Sequence, residues 1–565
     1  MKKKIVALLF SIFSITLVAS QNKYPQNYFS QPLENPMILA GTFGELRTGH
    51  FHSGIDFKTL GKEGLNVHSA AEGYVSRIKI SLWGYGKALY ITHPNGYTTV
   101  YAHLKKFNKK IEEFVKKRQY QKESFDIHLF PNKTELPIAK NEIIAFSGNT
   151  GSSSAPHLHF EIRNSKTEKI INPMHFGLIP KDTKAPIISH LRAYAFNDSS
   201  HVNLSNIPLP IQFRKIDAKK HKASPIKAYG KIGFSINTYD RQDGATNKNG
   251  VYKIEMISNG KTVYEHQLET FSFAESKYLN LLIDYPYYSK IRRKYQKTHI
   301  HPRSKLSIFK NTKEKGYLTI KEGRNYQIEL KITDFVGNSS SMLIPVIGSK
   351  QAPKILKKKE KTNYFIDRNK IAKFELNGVA VEFPKNTFYD NLYLNFKVKN
   401  NVATIHEPNL PLDKYYNISF NVTHLSDSIK KKSYIANVVN KKYFNFMSTQ
   451  KLDTLFKTRT KTLGDFTIHQ DFEAPLIYKP NFYQGQNISN YRYLSIHTKD
   501  KLTGLKSFRA EIDGQWILME YNTKTYKLTY DFNDKEIKKG KHTFTVVSED
   551  NVGNTKQFSS FFYTK

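Results

Sequence analysis

The feature that most constrains this chain is a repeated alternation of apolar and polar residues in short runs separated by turn-forming residues. In the run 157–162, Leu158, Phe160 and Ile162 alternate with polar residues. Asn95-Gly96 separates two β-rich runs, which predicts a hairpin. A period of two places neighbouring side chains on opposite faces of a strand. The pattern therefore predicts a mainly β chain, and the 35 Tyr, 38 Phe and mean hydropathy of −0.54 suit half-buried strands rather than a polytopic membrane protein.

The C-terminal two-thirds contains a weak internal repeat. The segment 182–187 resembles 471–476, and the two units end alike, in Asp-Phe-Val-Gly-Asn at 334–338 and Asp-Asn-Val-Gly-Asn at 550–554. Alternating strands with turn signals about every ten residues are typical of β-sandwiches. We predict Ig-like β-sandwich domains at 181–350 and 471–565, an insertion near 278–317 in the first, and a β-rich domain at 351–470.

The composition excludes cysteine chemistry and gives the protein a strongly basic surface. The chain has no cysteine, so disulfides, thiolate metal sites and cysteine nucleophiles are ruled out, and any metal must be held by His and carboxylates. Lys and Arg exceed Asp and Glu by 87 to 48. No nucleic-acid-binding motif accompanies this charge, and an anionic surface such as a cell envelope fits it equally well, so the charge alone does not decide. The export predicted below argues against nucleic acid, which we do not expect as a partner.

The N-terminus has the three parts of a secretory signal peptide. Lys2–Lys4 form a basic segment, Ile5–Val18 is apolar but short for a membrane span, and Val18-Ala19-Ser20 is a small-residue cleavage site. We predict a signal peptide at 1–20, with an uncleaved anchor as the alternative. No later stretch is long and apolar enough to span a bilayer, so we expect an exported protein without a transmembrane segment, in the periplasm or cell envelope rather than outside the cell.

Histidines spaced as His-x-His occur three times, at His50/His52, His157/His159 and His299/His301. His52 and Asp56 lie four residues apart with Gly54 between them, which disfavours a helix and lets the backbone turn so that both side chains converge. On a strand, His157 and His159 share one face. His103 ends the second strand of the predicted hairpin.

Two imidazoles and one carboxylate form a common catalytic zinc set. Three protein ligands leave a fourth position for water, and further histidines can act as base, acid and oxyanion partner in peptide hydrolysis. Each histidine taken singly is more often structural. Taken together, the segments around His52 and Asp56, around His157 and His159, and around His103 indicate a metal site.

The arrangement resembles the lysostaphin/LytM-type zinc metallopeptidases, which cut peptide cross-bridges of bacterial peptidoglycan. The resemblance runs in order from about Gly44 to Pro173, a quarter of the chain. It includes HSGIDF (52–57), AAEGYV (70–75), GYGKALYITHPNGYTTVYAHL (84–104), the Gly148/Gly151 loop, HLHFEI (157–162) and INP (171–173).

The resemblance implies a role for each matched residue. His52, Asp56 and His159 would be zinc ligands, and His103 and His157 the catalytic pair that orients water and stabilises the tetrahedral oxyanion. Because all five positions are occupied, it implies an active enzyme. It also implies a small, mostly antiparallel β-domain with zinc in a groove, which we place at 21–180.

Three features depart from the family pattern. An insertion at 105–139 lies where the family borders its substrate groove, so it would narrow the groove, recognise substrate or cover the zinc. His50 competes with His52 as a ligand, and we favour His52 because it alone has the His-x-x-x-Asp spacing. No recognisable wall-anchoring module follows.

The leading hypothesis is an exported zinc-dependent endopeptidase that hydrolyses peptide bonds in peptidoglycan stem peptides or cross-bridges. The β-sandwich domains would position the enzyme or bind envelope proteins. The alternative is a non-hydrolytic envelope binding or regulatory protein that retains the metallopeptidase fold. Nucleic-acid binding is a distant third hypothesis that rests on charge alone.

Overall fold

The computed structural model describes residues 23–356, 360–440 and 442–565. Strands account for 45% of the chain and helices for 8%, which confirms the prediction of a mainly β protein. The signal peptide predicted at 1–20 lies outside the described residues. Within them, every helix is too short or too polar to cross a bilayer.

The N-terminal region contains the strands β1 (Leu39–Gly41), β2 (Ile55–Lys58), β3 (Asn66–His68), β4 (Gly73–Ile80), β5 (Lys87–Thr92), β6 (Tyr97–Leu104), β7 (Lys106–Phe107), β8 (Ile127–Leu129), β9 (Pro137–Ile138), β10 (Ile143–Phe146), β11 (His157–Asn164) and β12 (Ile170–Ile171). One antiparallel sheet has the strand order β1-β2-β11-β6-β5-β4-β8, and a small sheet has the order β3-β10-β7. The predicted hairpin is confirmed as β5 and β6.

The predicted alternation decides which face of the main sheet is buried. On β11, Leu158, Phe160 and Ile162 are completely buried in the hydrophobic core. The other face of the same strand carries His157 and His159. One face of β11 therefore packs on the hydrophobic core, and the polar side chains of its other face point to the candidate site.

The insertion at 105–139 contains one helix, α1 (Lys109–Lys122), which begins at Asn108, whose side chain accepts a hydrogen bond from the amide of Ile111. The helix packs against the C-terminal sheets. Lys116 pairs with Asp534, and the ring of Tyr120 lies 5.4 Å from that of Trp516. The helix therefore links the N-terminal region to the other end of the chain.

The region 181–350 forms a second set of sheets around its own core. Three short helices, Phe273–Ser276, Leu279–Leu282 and Tyr285–Ile291, and a 3-10 turn at Glu314–Gly316 interrupt it. Leu279, Leu282 and Ile308, from the predicted insertion near 278–317, are buried in the N-terminal core, so this segment joins the two regions. Its strands are Ile187–Ala195, His201–Val202, Leu209–Ile211, Phe213–Lys215, Lys220–Ala223, Ile226–Tyr239, Lys253–Ser258, Lys261–Gln267, Gln296–Lys297, Leu318–Ile320, Asn325–Thr333 and Ser339–Gly348, while Thr270–Phe271 pairs with β12.

The region 351–470 encloses a core between two five-stranded sheets. One sheet contains Ala372–Leu376, Val379–Phe383, Tyr416–Asn421, Leu455–Thr460 and Gln450–Lys451. The other contains Phe396–Lys399, Val402–Ile405, Gly464–Gln470, Ser433–Asn440 and Tyr443–Phe446. A separate pair, Phe365–Ile366 with Leu392–Tyr393, and the helix Asp427–Lys432 complete this region.

The region 471–565 also places a core between two sheets. The first contains Leu476–Tyr478, Tyr493–Lys499, Lys527–Asp531 and Glu520–Asn522. The second contains Gln486–Asn487, Thr555–Thr564, Gly540–Asp550, Leu505–Ile512 and Gln515–Trp516. The specific Ig-like assignment of this region and of 181–350 stays a prediction.

Candidate metal centre

Strand register brings the predicted carboxylate and one histidine together. On β2 and β11, Asp56 lies directly opposite His159, so the two side chains point to the same face. Asp56 Oδ1 lies 2.9 Å from His159 Nδ1. The other oxygen, Oδ2, accepts a hydrogen bond from Arg47 at 3.2 Å, which holds the carboxylate with Oδ1 turned toward the histidine.

The turn before β2 brings in the second histidine. His52 Nε2 lies 2.9 Å from Asp56 Oδ1 and 3.0 Å from His159 Nδ1. Gly54 makes this approach feasible, because a Cβ atom there would lie 2.2 Å from the carbonyl oxygen of Phe160. His52, Asp56 and His159 thus form a buried group whose atoms could hold a metal ion, whereas His50 is exposed on the rim.

The hydrogen-bond partners of both imidazoles leave their lone pairs aimed at one point. His52 Nδ1 lies 2.8 Å from the carbonyl oxygen of Thr42, so it carries the proton and Nε2 carries the lone pair. His159 Nε2 lies 2.8 Å from Glu161 Oε1, so in the neutral ring Nδ1 carries the lone pair. Two lone pairs and a carboxylate oxygen converge, and this is the donor set of a zinc site.

Electrostatics at the group also favour a cation. Burial alone would raise the pKa of Asp56, but His52 and His159 outweigh it and hold this pKa well below its usual range. Burial opposes a charged His159, yet the hydrogen bonds to Asp56 and Glu161 raise its pKa to about 9. Positive charge is therefore stabilised between these side chains, and a bound metal ion would take the place of the proton.

A local break in strand β6 aims the third predicted histidine at the group. Ala102 lies opposite His159, so regular alternation would send the next side chain, His103, to the opposite face. Instead the pairing of β5 and β6 shifts register beside this point, and His103 adopts a positive φ of 59°. Such an irregularity re-aims a side chain, and the His103 ring lies 4.8 Å from that of His157.

His103 and His157 are held in one orientation by backbone carbonyls. His103 Nδ1 donates to the Thr150 carbonyl at 2.9 Å, and His157 Nδ1 donates to the Ala155 carbonyl at 2.8 Å. The Nε2 atom of each ring is left available to accept a proton. Burial and the nearby histidines lower the pKa of His103 to about 3, and burial also lowers that of His157, so both rings are neutral near pH 7.

Further side chains support His159, and none of them belongs to the five residues predicted from the sequence. Glu161 is completely buried, accepts from Ser53 Oγ at 2.5 Å and from Tyr85, and forms a 2.6 Å ion pair with Arg163. The alternation along β11 was the available signal, because it places Glu161 on the same face as His157 and His159.

The third His-x-His pair does not join the group. His299 is buried in the region 181–350, where its ring lies 4.8 Å from that of Phe196. His301 lies 3.1 Å from the carboxylate of Asp390. The structure therefore brings together the five predicted site residues, while their individual roles stay predictions. These residues are His52, Asp56, His103, His157 and His159.

The fold and this group of residues define a metallopeptidase-like domain at the N-terminal end. Residues 50–120 match the family model described as Peptidase family M23, and residues 363–471 match a Zu5-like domain. The chain thus carries a Peptidase family M23 domain, and its resemblance to lysostaphin/LytM-type peptidases is confirmed.

Named relatives are similar to this chain over 25–29% of its length. The DD-carboxypeptidase/endopeptidase Mpg of Neisseria meningitidis is 29% identical over 167 residues, which cover 29% of this chain and 32% of that protein. The cell division protein DipM of Caulobacter vibrioides is 27% identical over 141 residues, covering 25% and 19%. The chain thus matches about a third or less of the length of these relatives.

Solved structures of peptidases align with about a quarter of the chain. The catalytic domain of lysostaphin from Staphylococcus simulans is 24% identical, with 25% of this chain and 91% of that chain covered and a TM-score of 0.19. The catalytic domain of the M23 protein EnpA from Enterococcus faecalis is 20% identical, with 26% and 98% covered and a TM-score of 0.20.

Proposed function

We propose that this protein is an exported, zinc-dependent endopeptidase that hydrolyses peptide bonds in peptidoglycan stem peptides or cross-bridges. One observation carries the proposal. Two imidazole lone pairs and a carboxylate oxygen, from His52, His159 and Asp56, converge within 3.0 Å of one another, and two further histidines face them. The names of the matched relatives and the signal-like residues 1–20 support the substrate class and the export.

Zinc bound by His52, Asp56 and His159 would polarise the scissile carbonyl and lower the pKa of water. The chain's own residues handle the protons. Because the Nδ1 proton of His103 and of His157 is committed to a backbone carbonyl, either ring accepts the proton of the attacking water at Nε2.

The ring that has taken up this proton is cationic, and its Nε2–H stabilises the oxyanion that forms when the water oxygen bonds to the carbonyl carbon. When the carbon–nitrogen bond breaks, the same proton passes to the departing amine. His103 and His157 would thus be catalytic residues, and Glu161 a positioning residue that acts through His159.

The test is digestion of purified peptidoglycan by residues 21–565, with zinc and with a chelator, read by mass spectrometry of the released fragments. We expect chelator-sensitive cleavage, and the fragment masses identify the bond. His159→Ala should lower the rate by at least about 1000-fold, since it removes a ligand of the reacting centre.

His50→Ala is the matched control, because His50 neighbours the group but lies exposed on its rim. We expect this variant to keep full zinc content and activity. Retained cleavage in His159→Ala with unchanged metal content would refute the ligand assignment. Zinc binding without cleavage of any peptidoglycan preparation would favour the non-hydrolytic alternative.

A further inference from the structure

A second group of potential metal ligands lies where the region 181–350 meets the N-terminal region. Asp182 belongs to the segment that connects the two, Asp240 directly follows the strand Ile226–Tyr239, and Asp334 directly follows the strand Asn325–Thr333. One oxygen of each carboxylate lies within 4.8 Å of the other two. Asp240 and Asp334 are each only 4% exposed.

The charge of this group is only partly balanced by side chains, because Lys184 lowers the pKa of Asp182 and of Asp240 but burial and the neighbouring carboxylates outweigh it. Among the described residues, no Lys or Arg nitrogen lies within 4 Å of the three carboxylates, although the chain has a net charge of +39. The ammonium of neighbouring Lys184 instead donates to the Gln242 carbonyl at 3.0 Å. Asp240 Oδ1 is buried without a hydrogen-bond partner. Burial and the nearby carboxylates raise the pKa of Asp240 to about 8.

A small cavity is lined by the three aspartates. Its volume is about 30 Å³, and its lining contains all three aspartates together with the polar side chains of Asn172 and Gln242. A space of this size holds a water molecule or a monatomic ion. The geometry therefore combines negative charge, an unpaired carboxylate oxygen and room for one small cation.

The last region of the chain repeats the arrangement. Asp471, Asp500 and Asp550 also bring one oxygen each within 4.8 Å of one another. Like Asp240, Asp500 directly follows a strand, Tyr493–Lys499. In the described part of the region 351–470, which lies outside the internal repeat, no such group of three occurs.

The two groups also share their local hydrogen bonds. Asn338 Nδ2 donates to Asp334 Oδ2 at 2.8 Å and to the carbonyl of Asp182 at 3.2 Å. Asn554 Nδ2 donates to Asp550 Oδ2 at 2.7 Å and, in the same way, to the carbonyl of Asp471 at 3.0 Å. Two regions with little overall sequence similarity thus keep three aspartates in equivalent positions.

We propose that Asp182, Asp240 and Asp334 bind a Ca²⁺ ion at the junction with the N-terminal region, and that the equivalent aspartates of the last region form a second site of the same kind. Ca²⁺ takes six to eight oxygen ligands at about 2.3–2.6 Å, so oxygens on opposite sides of the ion are separated by about 4.8 Å. Mg²⁺ is smaller, usually retains several waters and is bound through one or two carboxylates, so three converging carboxylates favour Ca²⁺.

The ion would also affect the peptidase region. Gln242, two residues after Asp240, accepts a hydrogen bond from the amide of Leu39 at 3.1 Å. Leu39 begins β1, which pairs with β2, the strand that carries Asp56. A cation that fixes the loop after Asp240 therefore stabilises the edge of the sheet that holds the candidate zinc group, while its binding does not depend on peptidase activity.

The test is calcium binding by residues 21–565 after chelation and reloading with zinc, measured by calorimetry and by Tb³⁺ luminescence with Ca²⁺ as competitor. We expect two Ca²⁺ per chain, with Asp240→Asn removing one and Asp500→Asn the other. Asp217→Asn, an exposed aspartate in the same region as Asp240, is the control and should bind like the wild type. His159→Ala should also keep both Ca²⁺ ions, which separates this proposal from the proposed peptidase function.

Thermal unfolding tests the same Ca²⁺ site even if the affinity for Ca²⁺ is too low for calorimetry. We expect Ca²⁺ to raise the unfolding temperature of the wild type by about 3 °C or more, and the contribution of the first site to disappear in Asp240→Asn. Without Ca²⁺, Asp240→Asn should be at least as stable as the wild type, because it replaces a buried carboxyl group that lies beside two other carboxylates by a neutral amide. Absence of a Ca²⁺ effect in the wild type, or an undiminished effect in Asp240→Asn, would overturn the proposal.

Discussion

At the scale of single residues, Glu161 decides which nitrogen of His159 faces the candidate metal position. It accepts the Nε2 proton of His159 and leaves the Nδ1 lone pair beside Asp56. Glu161 is itself held by Arg163, whose side chain is only 5% exposed. Such partners of a ligating histidine fix its tautomer and orientation and raise its basicity.

Replacing Glu161 should therefore weaken metal binding. We expect Glu161→Gln to lower the zinc affinity by about 10–100-fold, because an amide accepts the Nε2 proton less strongly and leaves Arg163 without its buried partner. Competition with a chromophoric chelator measures this affinity.

Glu168→Gln is the matched control, because Glu168 is the exposed second partner of Arg163 and does not contact His159. Its zinc affinity should equal that of the wild type. Equal affinities in both variants would show that Glu161 has no positioning role, whereas Glu161→Asp should restore part of the loss.

At the scale of elements, the pairing of β2 with β11 sets the distance between Asp56 and His159. The two strands approach so closely at Gly54 that only a residue without a side chain fits between the turn and the carbonyl of Phe160. The conformation of this turn, more than any single contact, places His52 beside its two partners.

Gly54→Ala should separate β2 from β11. A Cβ atom 2.2 Å from the Phe160 oxygen forces the backbone to move, so we expect a loss of about 2 kcal/mol or more in the free energy of unfolding and weaker zinc binding. Urea denaturation and the chelator competition measure the two effects.

Gly61→Ala is the matched control for Gly54→Ala. Gly61, unlike Gly54, has a positive φ of 73°, but a Cβ atom there would meet nothing within 4 Å, so only the backbone term of about 1 kcal/mol applies. If Gly54→Ala destabilises no more than Gly61→Ala and binds zinc normally, the close approach does not organise the site.

At the scale of the whole molecule, the C-terminal sheets contact the loop that orients His103. Lys524 Nζ donates to the side chain of Asn149 at 2.9 Å, and the next residue, Thr150, accepts the Nδ1 proton of His103. Nearby, the buried Lys87 forms a 2.6 Å ion pair with Glu520. The last region of the chain therefore packs beside the candidate site.

Fluorescence can report this docking, because the chain has only two tryptophans and Trp83 is 66% exposed. In a Trp83→Phe background, emission comes from Trp516 beside Tyr120. Tyr120→Ala combined with Lys116→Ala should shift this emission to longer wavelength, since both changes remove contacts of α1 with the C-terminal sheets.

Lys110→Ala, at an exposed position on the same helix, should leave the emission of Trp516 unchanged. A spectrum that does not respond to the double change at Tyr120 and Lys116 would contradict docking of α1 on the last region. The same variants compared in peptidoglycan digestion would show whether docking influences cleavage.

The amino-acid sequence by itself determined the β class and the β5–β6 hairpin, while the five candidate site residues came from a family resemblance and their roles stay predictions. These properties are local: alternation with a period of two assigns a strand face, and a few residues around Gly54 permit a turn. The same local rule placed His157 and His159 on one face, as the structure has them.

Only the tertiary structure decided the orientation of His103 and the grouping of the three aspartates. His103 faces the site because of a positive φ and a register shift that depend on the pairing of β6 with its neighbours, and regular alternation predicts the opposite face. The three aspartates at 182, 240 and 334 meet, although 152 positions separate the first from the last, because sheet pairing brings distant chain segments together. Alternation assigns a side chain to a face, while the distance between two side chains follows from non-local register, which short-range sequence patterns do not encode.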